Sequence, residues 1–320
     1  MRTPATSRRG FLGILGAMAA AAHSDIPLPS GKVPIILDTD TFNEIDDQFA
    51  VTYAMLAPEA LEVQAIHAAP FLNRRSTSAG DGMEKSYEEI LRVLDRLGKK
   101  GAVEVLKGSG KFMKDAGGPV ESPAARNTIE KALAANEMLY VVATGAPTNV
   151  ASALLLEPKI KDKITVVWLG GRPYEFPTAH EFNLQQDPPA SQTLYESGVR
   201  LMVVPTTNIS EMLRTTVPEL EKWIKGKSKI GDYLFDIFVE HARENRRDFS
   251  KPWSKVIWDI SAVAWLINPK WIGSKVVSAP VLTDDLHWGL TQGRHPVRVA
   301  THVDRDGIFG DLFARIVRAG

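Results

Sequence analysis

The chain has 320 residues, of which 44% are hydrophobic, and Lys plus Arg and Asp plus Glu each count 38. That apolar content suffices for a buried core in one large domain, and excludes a largely disordered chain. The even charge balance offers no basic field for nucleic acid, and the lack of cysteine excludes disulfides, thiolate catalysis and Cys-based zinc sites.

Residues 1–30 read as a targeting segment and linker, leaving 31–320 as one folded domain. Ser7-Arg8-Arg9-Gly10-Phe11-Leu12 has the pattern of a twin-arginine export signal. The apolar run over 11–22 is too short to span a bilayer. Ala20-Ala21-Ala22 supplies small residues for cleavage. The expected location is therefore periplasmic or secreted, with the twin-arginine export machinery as a partner and no stable membrane anchor.

A buried strand is expected over 33–37, from its unbroken apolar run. It ends in Asp38, Asp40, Asp46 and Asp47. Carboxylates this close repel unless a cation lies between them, and a hard cation with oxygen ligands, Ca²⁺ or Mg²⁺, meets that need. A helix follows over 46–56, then a strand over 61–68 that ends in a loop holding Asn73. Apolar spacing predicts a helix over 86–97, and Ser122 with Pro123 starts another over 122–135. Strands are expected over 138–143 and 164–169, with a helix between them over 149–156. A loop carries Glu181 and Asn183, and Asp187-Pro188 caps a helix to about residue 197. A strand over 200–204 precedes a mostly helical stretch over 217–246. The remaining elements are a helix over 258–267, strands over 275–282 and 296–302, and a helix over 310–318.

Strands alternating with helices throughout predict an α/β fold, a Rossmann-like single domain with a largely parallel central sheet flanked by helices. In such a sheet the polar loops after successive strands gather at one edge. Asp40, Asn73, Thr144, Glu181 and Asn183 are thereby expected to meet in space. Trp258, Tyr174, Phe71 and Trp253 read first as core, His241 as surface and Arg243–Arg247 as a solvated helix end.

Five segments, taken in order, resemble the inosine–uridine-type nucleoside hydrolases. They are Asp38-Thr39-Asp40 with Asp46-Asp47; Asn73; Thr144-Gly145-Ala146-Pro147-Thr148-Asn149; Gly170-Gly171 with Glu181-Phe182-Asn183 and Asp187-Pro188; and Trp258-Asp259-Ile260-Ser261-Ala262-Val263. The resemblance spans about 33–318. It implies a Ca²⁺-dependent hydrolase of the N-glycosidic bond of ribonucleosides, with 31–320 as its catalytic domain. Asp40, Asp47 and Asp259 are implied as carboxylate ligands, with the Thr144 carbonyl as a further ligand. Asp46 is implied as general base on a calcium-bound water. Asp38, Asn73, Glu181 and Asn183 are implied around the ribose hydroxyls or behind the ligands, and Trp258 and His180 are further substrate-binding candidates. The expected partner is a small-molecule nucleoside or glycoside; self-association is compatible with the pattern.

Two departures stand out. The acidic loop is two residues longer than the family's common form, with Asn43 and Glu44 inserted. Trp258 stands where some members have a His that protonates the leaving base, so that route is closed. Competing readings are a hydrolase of another glycoside, a metal-dependent binding relative without turnover, and a haloacid-dehalogenase-type phosphatase. The last wants Thr or Val at the position of Phe42.

Overall fold

A computed structural model of the protein describes residues 26–320. The export motif at Ser7–Leu12 and the cleavage residues lie outside the described residues. The first described residue, Ile26, is buried, and its carbonyl accepts a hydrogen bond from Arg298 Nε at 2.7 Å.

Eight strands form the main sheet. They are β1 (Val33–Thr39), β2 (Leu61–Ala68), β3 (Glu104–Lys107), β4 (Leu139–Ala143), β5 (Ile164–Leu169), β6 (Arg200–Val204), β7 (Ile272–Ser278) and β8 (Pro296–Val303). Their order across the sheet is β3-β2-β1-β4-β5-β6-β8-β7, and every neighbouring pair is parallel except β8 with β7. The helices are α1 (Asp47–Met55), α2 (Ala79–Arg96), α3 (Met113–Ala116), α4 (Pro123–Ala134), α5 (Thr148–Leu156), α6 (Phe182–Gln186), α7 (Pro188–Glu196), α8 (Val217–Trp223), α9 (Lys229–Glu244), α10 (Ile260–Ile267) and α11 (Arg305–Arg318).

The central strands are apolar on both faces, and their two-residue period divides them between two cores. Ile35, Leu37, Val142, Val167 and Met202 join one core with Phe49, Ile90, Leu234, Trp265 and Phe309 of the helices. Ile36, Val141, Val166 and Leu201 join the other with Ala125, Val150 and Leu194. Helices therefore cover both faces of one α/β domain.

From β1 the chain winds outward through β2 to β3, and then returns to build β4, β5 and β6 on the other side. The order reverses between β1 and β4, where Asp38 pairs with Ala143. That reversal opens a crevice beyond the carboxyl ends of the strands, and the acidic loop leaves β1 at this place.

Some boundaries differ from the sequence expectation. Helix α2 starts seven residues earlier, at a Ser78 cap that accepts from Asp81 N. Its first turns hold Gly80 and Gly82 rather than apolar residues; a Cβ on Gly82 would come within 2.1 Å of the Phe71 carbonyl oxygen. The helical stretch after 217 is two helices, because Ser228 caps α9. The strand expected over 275–282 is β7, shifted toward its start; Ala279-Pro280 separates it from the short pair Val281–Leu282. Helix α11 begins at Arg305, behind the Asp304 cap.

Asp187 ties the layers together. It accepts from Met113 N at 2.8 Å, Lys114 N at 3.1 Å and Thr148 Oγ1 at 2.7 Å. Asp187→Ala leaves these donors unpaired and should cost about 2–4 kcal/mol of stability. Urea unfolding checks this; a loss under about 0.5 kcal/mol would contradict the latch.

Candidate active site

Asp38 ends in the crevice with both oxygens buried. Asn149 Nδ2 donates to its Oδ2 at 2.9 Å, while Asn149 Oδ1 accepts from Ser109 N at 2.7 Å. Burial pushes Asp38 up to about 7, against the pull of Asn149. Its place behind the loop makes it a brace between β1 and the start of α5.

Asp46 and Asp259 stand at the N-caps of α1 and α10, and Asp47 opens α1. Two helix N-termini thus face the same crevice, which favours ionised carboxylates there. Carboxylate oxygens of Asp46, Asp47 and Asp259 lie within 4.8 Å of one another, all buried. Asp47 Oδ1 accepts from Thr144 Oγ1 at 2.9 Å and from Thr39 Oγ1. Asp40 is buried beside them, and neither of its oxygens has a hydrogen-bond partner. Gly145 lets it fit: a Cβ there would meet Asp40 Cγ at 2.9 Å.

Burial, then the neighbouring carboxylates, hold Asp40 and Asp259 well above the usual carboxylate range. Burial also raises Asp47, against its hydroxyl donors, and pushes Asp46 up to about 7, against the pull of Lys255. The donor set is oxygen only, convergent and short of hydrogen-bond donors, so it fits a hard divalent cation. The structure therefore brings together Asp40, Asp46, Asp47, Asp259 and Thr144 from three separate stretches of chain.

The remaining expected residues divide. Asn183 donates through its Nδ2 to the carbonyls of Thr144 at 2.8 Å and Leu169 at 3.0 Å, clamping the ends of β4 and β5. Glu181 caps α6, accepting from Asn183 N at 3.1 Å, Leu184 N at 3.1 Å and Gly171 N at 2.9 Å. Asn73 Nδ2 donates to Asn43 Oδ1 at 2.6 Å, locking the inserted residue. Trp258 is half-buried and its backbone N–H donates to Asp46 Oδ2 at 3.3 Å. His180 is exposed, and its ring bonds Gln185 Oε1 at 3.3 Å rather than any carboxylate.

Sequence reasoning missed Lys255. Its Nζ is buried, 2.5 Å from Glu44 Oε2 and 3.9 Å from Asp46 Oδ1. Burial opposes its charge, but Asp46 and Glu44 outweigh that and raise its pKa. A lone lysine in the apolar run before Trp258 was the available signal. His241, expected at the surface, lines a cavity beside Lys255, and burial followed by the Lys255 charge pushes it down to about 4.

The family model for inosine-uridine preferring nucleoside hydrolases matches residues 35–310. The chain belongs to that family. As a nucleoside hydrolase it is an N-glycosyl hydrolase, and its convergent carboxylates lie within the matched region. A pyrimidine-specific ribonucleoside hydrolase of Escherichia coli is 27% identical, over 88% of this chain and 97% of the relative. Among solved structures, a plant nucleoside hydrolase superposes with a TM-score of 0.71 at 22% identity, covering 89% of this chain and 99% of that one. A purine-preferring ribonucleoside hydrolase from Gardnerella vaginalis gives 0.70 at 23%, covering 89% and 98%. These two likenesses establish the fold.

The raised carboxylates fix a pH dependence. A raised pKa means that the folded state binds more protons than the unfolded state between about 4 and 7, so without metal this cluster destabilises the fold as pH rises through that window. A cation requires the deprotonated form. The rise in Tm on adding Ca²⁺ to chelator-treated protein should therefore be larger at pH 8 than at pH 5. An equal or smaller rise at pH 8 would contradict the assignment.

Proposed function

We propose that the protein hydrolyses the N-glycosidic bond of ribonucleosides with the help of Ca²⁺, releasing base and ribose. The observation that carries this reading is the buried convergence of Asp40, Asp46, Asp47 and Asp259 at the sheet's switch point.

In this reading Asp40, Asp47 and Asp259 hold the ion, with the Thr144 carbonyl beside them. Bound there, Ca²⁺ supplies an acidified water and an anchor for vicinal hydroxyls. Asp46 takes the proton from the attacking water. Burial raises its carboxyl and a neighbouring cation lowers it; an ionised carboxylate within reach of that water can accept its proton. Lys255, 3.9 Å from Asp46 Oδ1, and the Trp258 N–H, donating to its Oδ2, hold it in place. The negative potential of the cluster stabilises the developing oxocarbenium ion at C1′. As the C1′–N bond breaks, the water oxygen bonds to C1′, Asp46 holds the water's proton, and the departing base takes up a proton from solvent. Trp258 has no proton to offer from its ring carbons, and its indole N–H is not an acid at these pH values. His241, held neutral, does not act as a cationic acid.

Asp46→Asn should lower turnover of uridine and inosine by about 10²–10⁴-fold while Ca²⁺ still raises Tm. Sugar release by the mature protein with and without Ca²⁺ checks both points. Wild-type turnover in the variant removes Asp46 from this role, and turnover indifferent to chelator removes the ion.

A further inference from the structure

Beside the carboxylates lies a cavity of about 530 Å³, large enough for a small organic ligand. Its wall includes Asn43, Glu44, Asn73 and Trp258, so it opens directly beside Asp46. The charges on that wall are unbalanced. Arg74, Arg75, Arg214, Arg247 and Lys255 face a single carboxylate, Glu44. Arg214 is paired with Glu211 at 2.9 Å and Lys255 with Glu44 at 2.5 Å. Arg74 donates to Asn245 Oδ1 at 2.9 Å and Arg75 to the Glu44 carbonyl at 3.0 Å, both neutral oxygens. Neither of them, nor Arg247, has a carboxylate within ion-pair distance among the described residues.

A neutral nucleoside gives such a wall nothing to do. Arg75 is also stacked over the Phe42 ring at 4.5 Å, and water screens the exposed Arg74, Arg214 and Arg247; an anion between these like charges would relieve the repulsion that remains. Guanidinium forks match the oxygens of a phosphate in pairs, and Lys255, held rigidly by burial, adds a fixed point charge. The Asn43–Asn73 and Arg75–Glu44 contacts show that the two inserted residues shape this wall. Arg247, at the end of a run that looks like a solvated helix end, is drawn into it.

Resting on the hydrolase reading above, we propose that the substrate carries a phosphate ester, which this cavity binds while the carboxylate cluster acts on the glycosidic bond. The class is a ribonucleoside monophosphate. The chemistry is unchanged: water adds at C1′, the base leaves with a proton, and the phosphate is retained on the ribose.

The test uses products, which cannot turn over. Calorimetric titration of the Ca²⁺-loaded mature protein compares ribose, ribose 5-phosphate and ribose 3-phosphate. At least one phosphate ester should bind 10-fold or more tightly than ribose, and the tighter ester locates the phosphate on the sugar. Arg74→Gln with Arg247→Gln should reduce that advantage at least 5-fold. Equal affinity for ribose and both esters overturns the proposal, as does an advantage unmoved by the double substitution. Absence of turnover on uridine and uridine 5′-monophosphate alike would count against the hydrolase reading alone, since the titration still decides the phosphate.

Discussion

Five aspartates buried within one crevice are the constraint around which this molecule is built. Each must lose most of its hydration, and Asp40, Asp46, Asp47 and Asp259 sit in one another's field. A fold does not gain stability from such a group; burial of a single unpaired charge costs several kcal/mol. The hydroxyls of Thr39 and Thr144, the amide of Asn149 and two helix N-termini answer part of that demand. Lys255 answers another part, but it sits to one side, against Asp46 and Glu44. Asp40, with no partner on either oxygen, is left to something the chain does not supply. On the proposed reading, a divalent ion among Asp40, Asp47 and Asp259 would complete the balance and convert an electrostatic liability into a site.

The surrounding structure serves to keep those groups from moving apart. Asn183 clamps the ends of β4 and β5, Glu181 fixes the start of α6, and Asp187 joins α3 to α5. These residues belong to the segments most suggestive of substrate contact in the sequence, yet their side-chain bonds run to the protein itself, all to backbone groups except that of Asp187 with the Thr148 hydroxyl. Asn183 in particular holds the Thr144 carbonyl in place. The opposite side is looser in sequence but equally organised: the inserted Asn43 and Glu44 are held by Asn73, Arg75 and Lys255. One side of the site is therefore anionic and closed, and the other cationic and open.

Much of this was legible from residues alone, for physical reasons. A fully buried parallel strand must be apolar throughout, so β1 announced itself and placed Asp38 and Asp40 at its carboxyl end. The order of strands and helices implied convergent loops, and the reversal between β1 and β4 made Thr144 a neighbour of Asp40. What was hidden depended on distances that no spacing encodes. Lys255 lies 209 positions beyond Asp46 in the sequence, and only the antiparallel pairing of Lys255–Val256 with Arg214–Thr215 positions it. Arg74, Arg75 and Arg247 look like ordinary surface charges until α9 brings the last of them against the loop after β2. Strand β3 was missed because it is an edge strand with polar ends, and the first seven residues of α2 fell outside the expected helix because its glycines conceal the helical period where the backbone approaches Phe71.

The most direct test of this account is a crystal structure of the protein grown with Ca²⁺, with the ion located by its anomalous scattering. The account predicts one ion coordinated by carboxylates of Asp40, Asp47 and Asp259, with Asp46 facing it from within hydrogen-bond reach of a coordinated solvent position. An ion bound elsewhere, or a crevice in which Asp40 and Asp259 remain uncoordinated at saturating Ca²⁺, would contradict it.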